Sequence, residues 1–248
     1  MKNLIIFDAY GTLIAAGAGY REAVRRIPEL TECGVNPELF CEEWKILHRQ
    51  HKEEANGNGY LTEAEIFRKD LSVLYSRYGI TGNRNKDADF MQIALGVSKA
   101  FEGAADAVNQ LKKKYRVIIG ADSDTEPLRL NIRRNGMEPD GIYSSEDLKI
   151  YKPDRRFYQK MLHSCGGEAE NTIYIGNSYH EDVEGPASAG IPSILIDRRR
   201  THMQDGKHTV QPLAVVHSLY NLVQLLEKMQ ANPRLFPGIC WETPHIFS

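Results

Sequence analysis

Two carboxylates and one ammonium in this chain fall where they could do covalent chemistry together. Asp8 ends the apolar run Asn3-Leu-Ile-Ile-Phe7, and Gly11 turns the chain directly afterwards. Lys152 stands before Pro153 and a helical stretch, and Asp182 follows the strand-like Thr172–Ile175 and the turn Gly176-Asn-Ser178. An aspartate nucleophile needs a partner that keeps it ionised and oriented, which a neighbouring ammonium supplies. A second carboxylate can prepare the water that later cleaves the acyl-enzyme. Thr12, four residues after Asp8, is placed to hydrogen-bond it. Alone, Asp8 would read as a turn residue, because Asp is common in turns; Lys152 and Asp182 argue against that plainer reading.

For these side chains to meet, the elements carrying them must lie side by side. Short continuous apolar runs are the signature of strands in a parallel sheet, and ligands bind beyond the carboxyl ends of such strands. From Phe101 onward strands and helices alternate: strands at Arg116–Ala121, Ile142–Tyr143, Thr172–Ile175 and Ser193–Ile196, helices at Gly103–Lys114, Glu126–Asn135, Asp154–Ser164, His180–Ala189 and Val215–Met229. That alternation predicts an α/β fold with a parallel sheet covered by helices on both faces. Three strand ends then converge: Asp8, the Gly120-Ala-Asp-Ser-Asp-Thr125 loop, and Gly176–Asp182.

Between the first strand and Phe101 the pattern is helical throughout: Tyr20–Ile27, Pro37–Glu54, Glu63–Tyr78 and Asp87–Val97. The third of these begins with Thr62-Glu-Ala-Glu65, a capping-box pattern, and Ile66, Phe67, Leu71, Leu74 and Tyr78 recur at helical spacing. The expected organisation is a core of residues 1–14 and 100–248 with a helical insert over 15–99. On the second insert helix Lys45, His48, Arg49 and Lys52 share a face. That face reads either as an anion-attracting lid over Asp8 or as a solvated basic surface, with Trp44 as packing. His180 reads as a surface residue and Arg198-Arg-Arg200 as an exposed loop.

Composition narrows the class. Hydrophobic residues at 42% and charged residues at 26% are ordinary for a soluble globular protein. A net charge of −2 gives no general attraction to nucleic acid or an anionic membrane. Cys33, Cys41, Cys165 and Cys240 show neither zinc-site nor disulfide-framework spacing. No stretch approaches 18 consecutive apolar residues. A cytoplasmic protein with no nucleic-acid or membrane partner is expected. The proline-punctuated, aromatic segment 231–248 is expected to dock on the core.

With these motifs in hand, the chain resembles the haloacid dehalogenase (HAD) superfamily of hydrolases. Asp8-Ala-Tyr-Gly-Thr-Leu13 is similar to its first motif, the Gly120–Thr125 loop stands at its second, Lys152-Pro153 is similar to its third, and Gly176-Asn-Ser-x-x-x-Asp182 to its fourth. The resemblance implies a Rossmannoid core with a C1-type helical cap that closes over the site and excludes water. It also implies Asp8 as nucleophile, Thr12 and Lys152 as its orienting and neutralising partners, and Asp182 supporting attack by water, directly or through Lys152. That the chain is an enzyme acting on a small anionic molecule, as a monomer or homodimer, is implied only by this resemblance.

The subfamily is read from the departures. Phosphatases of the superfamily carry a general acid two residues after the nucleophile, where this chain has Tyr10; an acid of that kind is worth on the order of 10²–10⁴ in rate. Asp-x-Tyr is the form of 2-haloacid dehalogenases, in which a halide leaves without a proton. Tyr158, six residues after Lys152, matches them too. Asn177 replaces the first acid of the phosphatase pattern. If the chain is phosphatase-like, the resemblance implies Mg2+ held by Asp8, the Tyr10 backbone carbonyl and Asp182; if dehalogenase-like, no cofactor. Ala121, Asp122 and Ser123 stand where the substrate anion should be bound. Ala121 has no side-chain donor, so Ser123 or backbone amides must substitute, and Asp122 would repel an anion. Lys45, after Trp44, stands where dehalogenases place a halide-handling Arg, an exchange that is not conservative. Three readings stay open: a 2-haloacid-dehalogenase-like hydrolase, a magnesium-dependent small-molecule phosphatase, and a catalytically weak binding protein.

Overall fold

A computed structural model describes residues 3–15, 18–56, 59–201 and 208–232 of the chain. Leu4–Phe7 (β1) is buried at every position, as a strand must be when both faces of its sheet are covered. It pairs in parallel with Arg116–Ala121 (β2) on one side and Thr172–Gly176 (β4) on the other. Gly141–Ser144 (β3) lies outside β2, and Ser193–Ile196 (β5) and Ala214–Val216 (β6) lie outside β4. Among the described residues this makes a six-stranded parallel sheet in the order β3-β2-β1-β4-β5-β6. Alternation along β1 serves both faces: Ile5 and Phe7 join a core with Val117, Ile119 and Leu222, whereas Leu4 and Ile6 join one with Ile118, Phe157 and Met161. The chain winds from β1 to one edge, then returns to β4 and winds to the other. Beside β1 the direction of winding reverses, and the crevice at such a point is where open α/β sheets bind ligands.

Between β1 and β2 the chain leaves the sheet for four helices, Ala18–Leu30 (α1), Pro37–Glu54 (α2), Glu63–Tyr78 (α3) and Arg84–Gly96 (α4), before Ala104–Leu111 (α5) returns to it. The starts of α2 and α3 are written in the sequence. Asn36 caps α2 through the amides of Glu38 and Leu39 with Pro37 in the first turn, and Thr62 and Glu65 close a capping box on α3. The insert has an apolar nucleus of its own, including Val24, Phe40, Trp44, Phe67, Leu71 and Met91. Thr125–Arg134 (α6), Ser145–Leu148 (α7), Arg155–Cys165 (α8), Gly185–Ser188 (α9) and Leu219–Ala231 (α10) cover the sheet.

Some expectations differ from this structure. The helix expected over His180–Ala189 is a π-helical turn, His180–Glu184, followed by α9. The widened turn brings Asp182 back onto the amides of Asn177 and Ser178. The last helix starts at Leu219 because Ala214–Val216 is the edge strand β6, too short and too partly buried to announce itself. Cys240 and the segment 233–248 lie outside the described residues, so the expected docking of the tail does too. Among the described residues no helix is long and apolar enough to cross a membrane.

Candidate active site

The carboxyl ends of β1, β2 and β4 put their following residues around one cavity of about 300 Å³. Asp8, Lys152 and Asp182 meet at its floor. Lys152 Nζ donates to Asp8 Oδ1 at 2.7 Å and to Asp182 Oδ1 at 2.8 Å, and all three side chains are buried. Asp182 Oδ2 accepts the backbone N–H groups of Asn177 and Ser178 at 2.9 and 2.8 Å. Asp8 Oδ2 is buried, has no hydrogen-bond partner among the described residues, and belongs to a side chain that lines the cavity. The floor thus presents one carboxylate oxygen fixed and the other uncommitted.

Burial raises the pKa of Asp8, and Lys152 opposes it. Burial raises Asp182 as well, to about 6, again against Lys152. For Lys152 burial alone would lower the value, but Asp182 and then Asp8 outweigh it and hold the group well above the ordinary range. One shared ammonium therefore opposes protonation of both buried carboxylates, without cancelling the effect of burial on either.

The turn after Asp8 is built for close approach. Gly11 has φ +94°, and a Cβ there would stand 2.4 Å from Asn177 Oδ1, so a side chain is excluded on both counts. Likewise a Cβ on Gly176 would stand 2.2 Å from Asp182 Cγ. Thr12 is buried; its hydroxyl donates to Asn177 Oδ1 at 3.0 Å, tying the ends of β1 and β4 together, and its side chain also helps to hold down the pKa of Asp8 against burial. Tyr10 lines the cavity, and its hydroxyl accepts from Asn131 Nδ2 at 3.0 Å. Tyr158 is buried beneath the site, its hydroxyl donating to the Glu181 carbonyl, and so supports the turn carrying Asp182 instead of lining the cavity.

Other expected substrate contacts fall elsewhere. Lys45 is on the outer side of α2, paired with Glu42 at 2.5 Å, and does not line the cavity. Ser123 is fully buried with its hydroxyl donating to the Asp124 carbonyl, so it does not take over from Ala121, which is itself buried in β2. Arg49 is exposed. The expected basic face is split: Lys45 and Arg49 point away, while His48 and Lys52, one helical turn apart, line the cavity. Asp122 does not stand as a bare repelling charge, because Lys52 Nζ lies 2.5 Å from its Oδ2 and the Lys152 backbone N–H donates to its Oδ1 at 2.9 Å.

Spacing alone missed several residues. His48 Nε2 lies 3.2 Å from Glu63 and its Nδ1 lies 2.8 Å from Asp70, which also meets His51 at 2.6 Å. Burial would lower the His48 pKa, but Glu63 and Asp70 outweigh it and raise it to about 9. Asp124 accepts the first amides of α3, Glu63 at 2.7 Å and Ala64 at 2.9 Å, hooking the insert to the core. Arg198, expected in an exposed loop, is partly buried, stacks on Phe101 at 3.8 Å and donates to the carbonyls of Gly11 at 2.7 Å and Thr12 at 2.6 Å. A larger groove of about 810 Å³ between α5 and α10 touches Arg198 but not Asp8, so the smaller cavity is the chemical one.

Magnesium is usually held by one or two carboxylates with substrate oxygens and water. Asp182 has both oxygens committed, Oδ1 to Lys152 and Oδ2 to two amides, and Asn177 Oδ1 is taken by Thr12. Of the expected donors only Asp8 Oδ2 and the Tyr10 carbonyl are left, and among the described residues no group of three His, Cys, Asp or Glu is placed to hold a metal. As arranged, these residues do not fit a divalent cation.

Comparison with known proteins agrees with the fold. The profile of the haloacid dehalogenase-like hydrolases matches residues 2–190. Pyrimidine 5'-nucleotidase PynA of Streptococcus pneumoniae is 27% identical over 177 residues, 68% of this chain and 72% of that protein. (S)-2-haloacid dehalogenase 4A of Burkholderia cepacia is 25% identical over 198 residues, 78% of this chain and 82% of that protein. Among solved structures, the L-2-haloacid dehalogenase from Xanthobacter autotrophicus with chloropropionic acid covalently bound superposes with a TM-score of 0.74 at 17% identity, covering 92% of this chain and all (100%) of the other.

Proposed function

The chain belongs to the haloacid dehalogenase-like hydrolases, and from that membership we propose a hydrolase that works through a covalent ester on Asp8, of the 2-haloacid dehalogenase type. The observation that carries this reading is the asymmetry of Asp8: Oδ1 is held at 2.7 Å by Lys152, while Oδ2 is buried at the cavity without a partner among the described residues. In the first step Asp8 Oδ2 attacks the carbon bearing the halogen. The carbon–oxygen bond forms as the carbon–halogen bond breaks, and the halide leaves with the electron pair. No proton is needed, which suits Tyr10 at a position where a phosphatase has its acid. In the second step water attacks the carboxyl carbon of the ester, and the bond from that carbon to the substrate's oxygen breaks. One water proton passes to the departing alcohol oxygen and the other to solvent, and Asp8 is regenerated as a carboxylate with a solvent oxygen. Asp182 meets Lys152 at the cavity floor without lining the cavity itself, and acts through Lys152, holding the ammonium where it neutralises Asp8 before attack and the oxyanion afterwards.

A phosphatase reading is favoured by one observation, the gathering of Lys52, Lys152 and a charged His48 around the cavity, which suits a phosphoryl group as well as a carboxylate. It also has a relative in PynA. Against it stand Tyr10 and the committed oxygens of Asp182. The deciding experiment offers the protein 2-chloropropionate and p-nitrophenyl phosphate, each with magnesium and with chelator. Chloride release indifferent to chelator is expected; magnesium-dependent phosphate release with no chloride would replace this reading by the other.

A further inference from the structure

The loop after β2 has no side chain that can receive an anion: Ala121 lacks a donor, Ser123 is turned into the core, and Asp122 is itself negative. The donor comes from the other wall. Lys52, on α2, reaches the cavity with its side chain 19% exposed, and its Nζ lies 2.5 Å from Asp122 Oδ2. Resting on the hydrolase reading above, we propose that Lys52 is the specificity-determining receptor for the substrate's anionic group. Asp122 occupies that receptor until the substrate exchanges for it.

Of the other cations that line the cavity, Arg21 is an exposed residue of α1, and two are engaged otherwise. Lys152 is divided between Asp8 and Asp182, and His48 bridges Glu63 and Asp70. Lys52 is held in place without being used up. Its ammonium lies over the Tyr151 ring, 5.0 Å from the centroid, and its helix is braced on α3 by the contacts of His48 and His51 with Asp70. Asp122 keeps a second anchor, the Lys152 backbone N–H, so it stays in place when Lys52 turns to another anion. The two partners also come from different bodies, the insert and the core, and both line the cavity. A purely structural ion pair has no need to face the ligand space.

The pair makes opposite demands on two substitutions, and that is the test. Propionate and inorganic phosphate are titrated by calorimetry into the full-length protein, with uncharged propionamide as control and thermal melting of every variant alongside. Lys52→Met is expected to weaken binding of whichever anion binds by about tenfold or more, the loss of one charge-assisted hydrogen bond, and Lys52→Arg to restore part of it. Asp122→Asn is expected to strengthen the same binding several-fold by releasing the ammonium, with propionamide unaffected. Loss of affinity in both Lys52→Met and Asp122→Asn would overturn the proposal in favour of a structural pair. So would wild-type affinity in Lys52→Met, or no anion binding by the wild type at millimolar concentration. The outcome is separable from the Asp8 chemistry. Anion binding through Lys52 without halide release sinks only the dehalogenase reading, whereas halide release with an unchanged KM in Lys52→Met sinks only this one.

Discussion

The floor of the cavity and the seam where the insert meets the core are both built from buried charge, but they are wired differently. On the floor one ammonium serves two carboxylates, and the backbone of Asp8 is set by the pairing of β1 with β2 and β4. In the seam the charges come from separate elements: His48 and Lys52 from α2, Glu63 and Asp70 from α3, Asp122 and Asp124 from the loop after β2. Sheet register fixes the first arrangement, and docking of the insert fixes the second. A fold divided in this way can keep its chemistry constant while the seam changes what is admitted.

The largest effect should come from breaking the floor. Asp8→Asn should lower turnover by on the order of 10⁴-fold or more, as loss of a nucleophile does, while the melting temperature holds. Lys152→Met tests the same place through stability. Two buried carboxylates lose their shared partner, and a cost of about 3–5 kcal/mol is expected in denaturant unfolding. A change below about 1 kcal/mol would place that pair in the surface class and so undo the contrast.

The seam should answer to pH. His48 is raised in the folded protein to about 9 from an ordinary value of 6.5, so its contribution is complete below pH 6.5 and is lost as pH rises through 9. On the order of 3 kcal/mol should disappear across that window, and His48→Gln should flatten the profile. A wild-type profile flat over the same range would contradict the charged His48 bridge. Smaller again is Arg198→Met, which removes two donors from the carbonyls of Gly11 and Thr12. About 1.5–3 kcal/mol of stability should be lost, together with a drop in kcat that leaves KM in place, because the nucleophile's turn is loosened and the receptor is not. An equal rise in KM would show that the turn and the seam are not independent.

The same division governs what could be read from the sequence. The floor was legible because its residues sit at strand ends, marked by apolar runs, by Gly11 and Gly176, and by the fixed order of four motifs. The start of helix α3 was legible from Thr62 with Glu65, whose cap acts locally. The seam was not, because helical spacing gives Lys45, His48, Arg49 and Lys52 one face without saying which edge of that face turns inward. The packing of Trp44 on His48, 5.0 Å between rings, and of Phe67 beside it settles the rotation and sends Lys45 outward. Arg198 was missed for a related reason: a run of three arginines reads as solvated, and only the return of the chain after β5 past the Asp8 turn gives the first of them carbonyls to hold.

A single turnover of 2-chloropropionate in heavy-oxygen water, with enzyme in excess over substrate, tests the covalent role of Asp8 most directly. Attack by water on the carboxyl carbon of an ester leaves the solvent oxygen in the Asp8 side chain. The peptide carrying Asp8 should therefore gain one heavy oxygen, and the first equivalent of hydroxyacid should carry none. Heavy oxygen in the hydroxyacid and none in that peptide would mean that water displaces the halide directly, and would contradict the account.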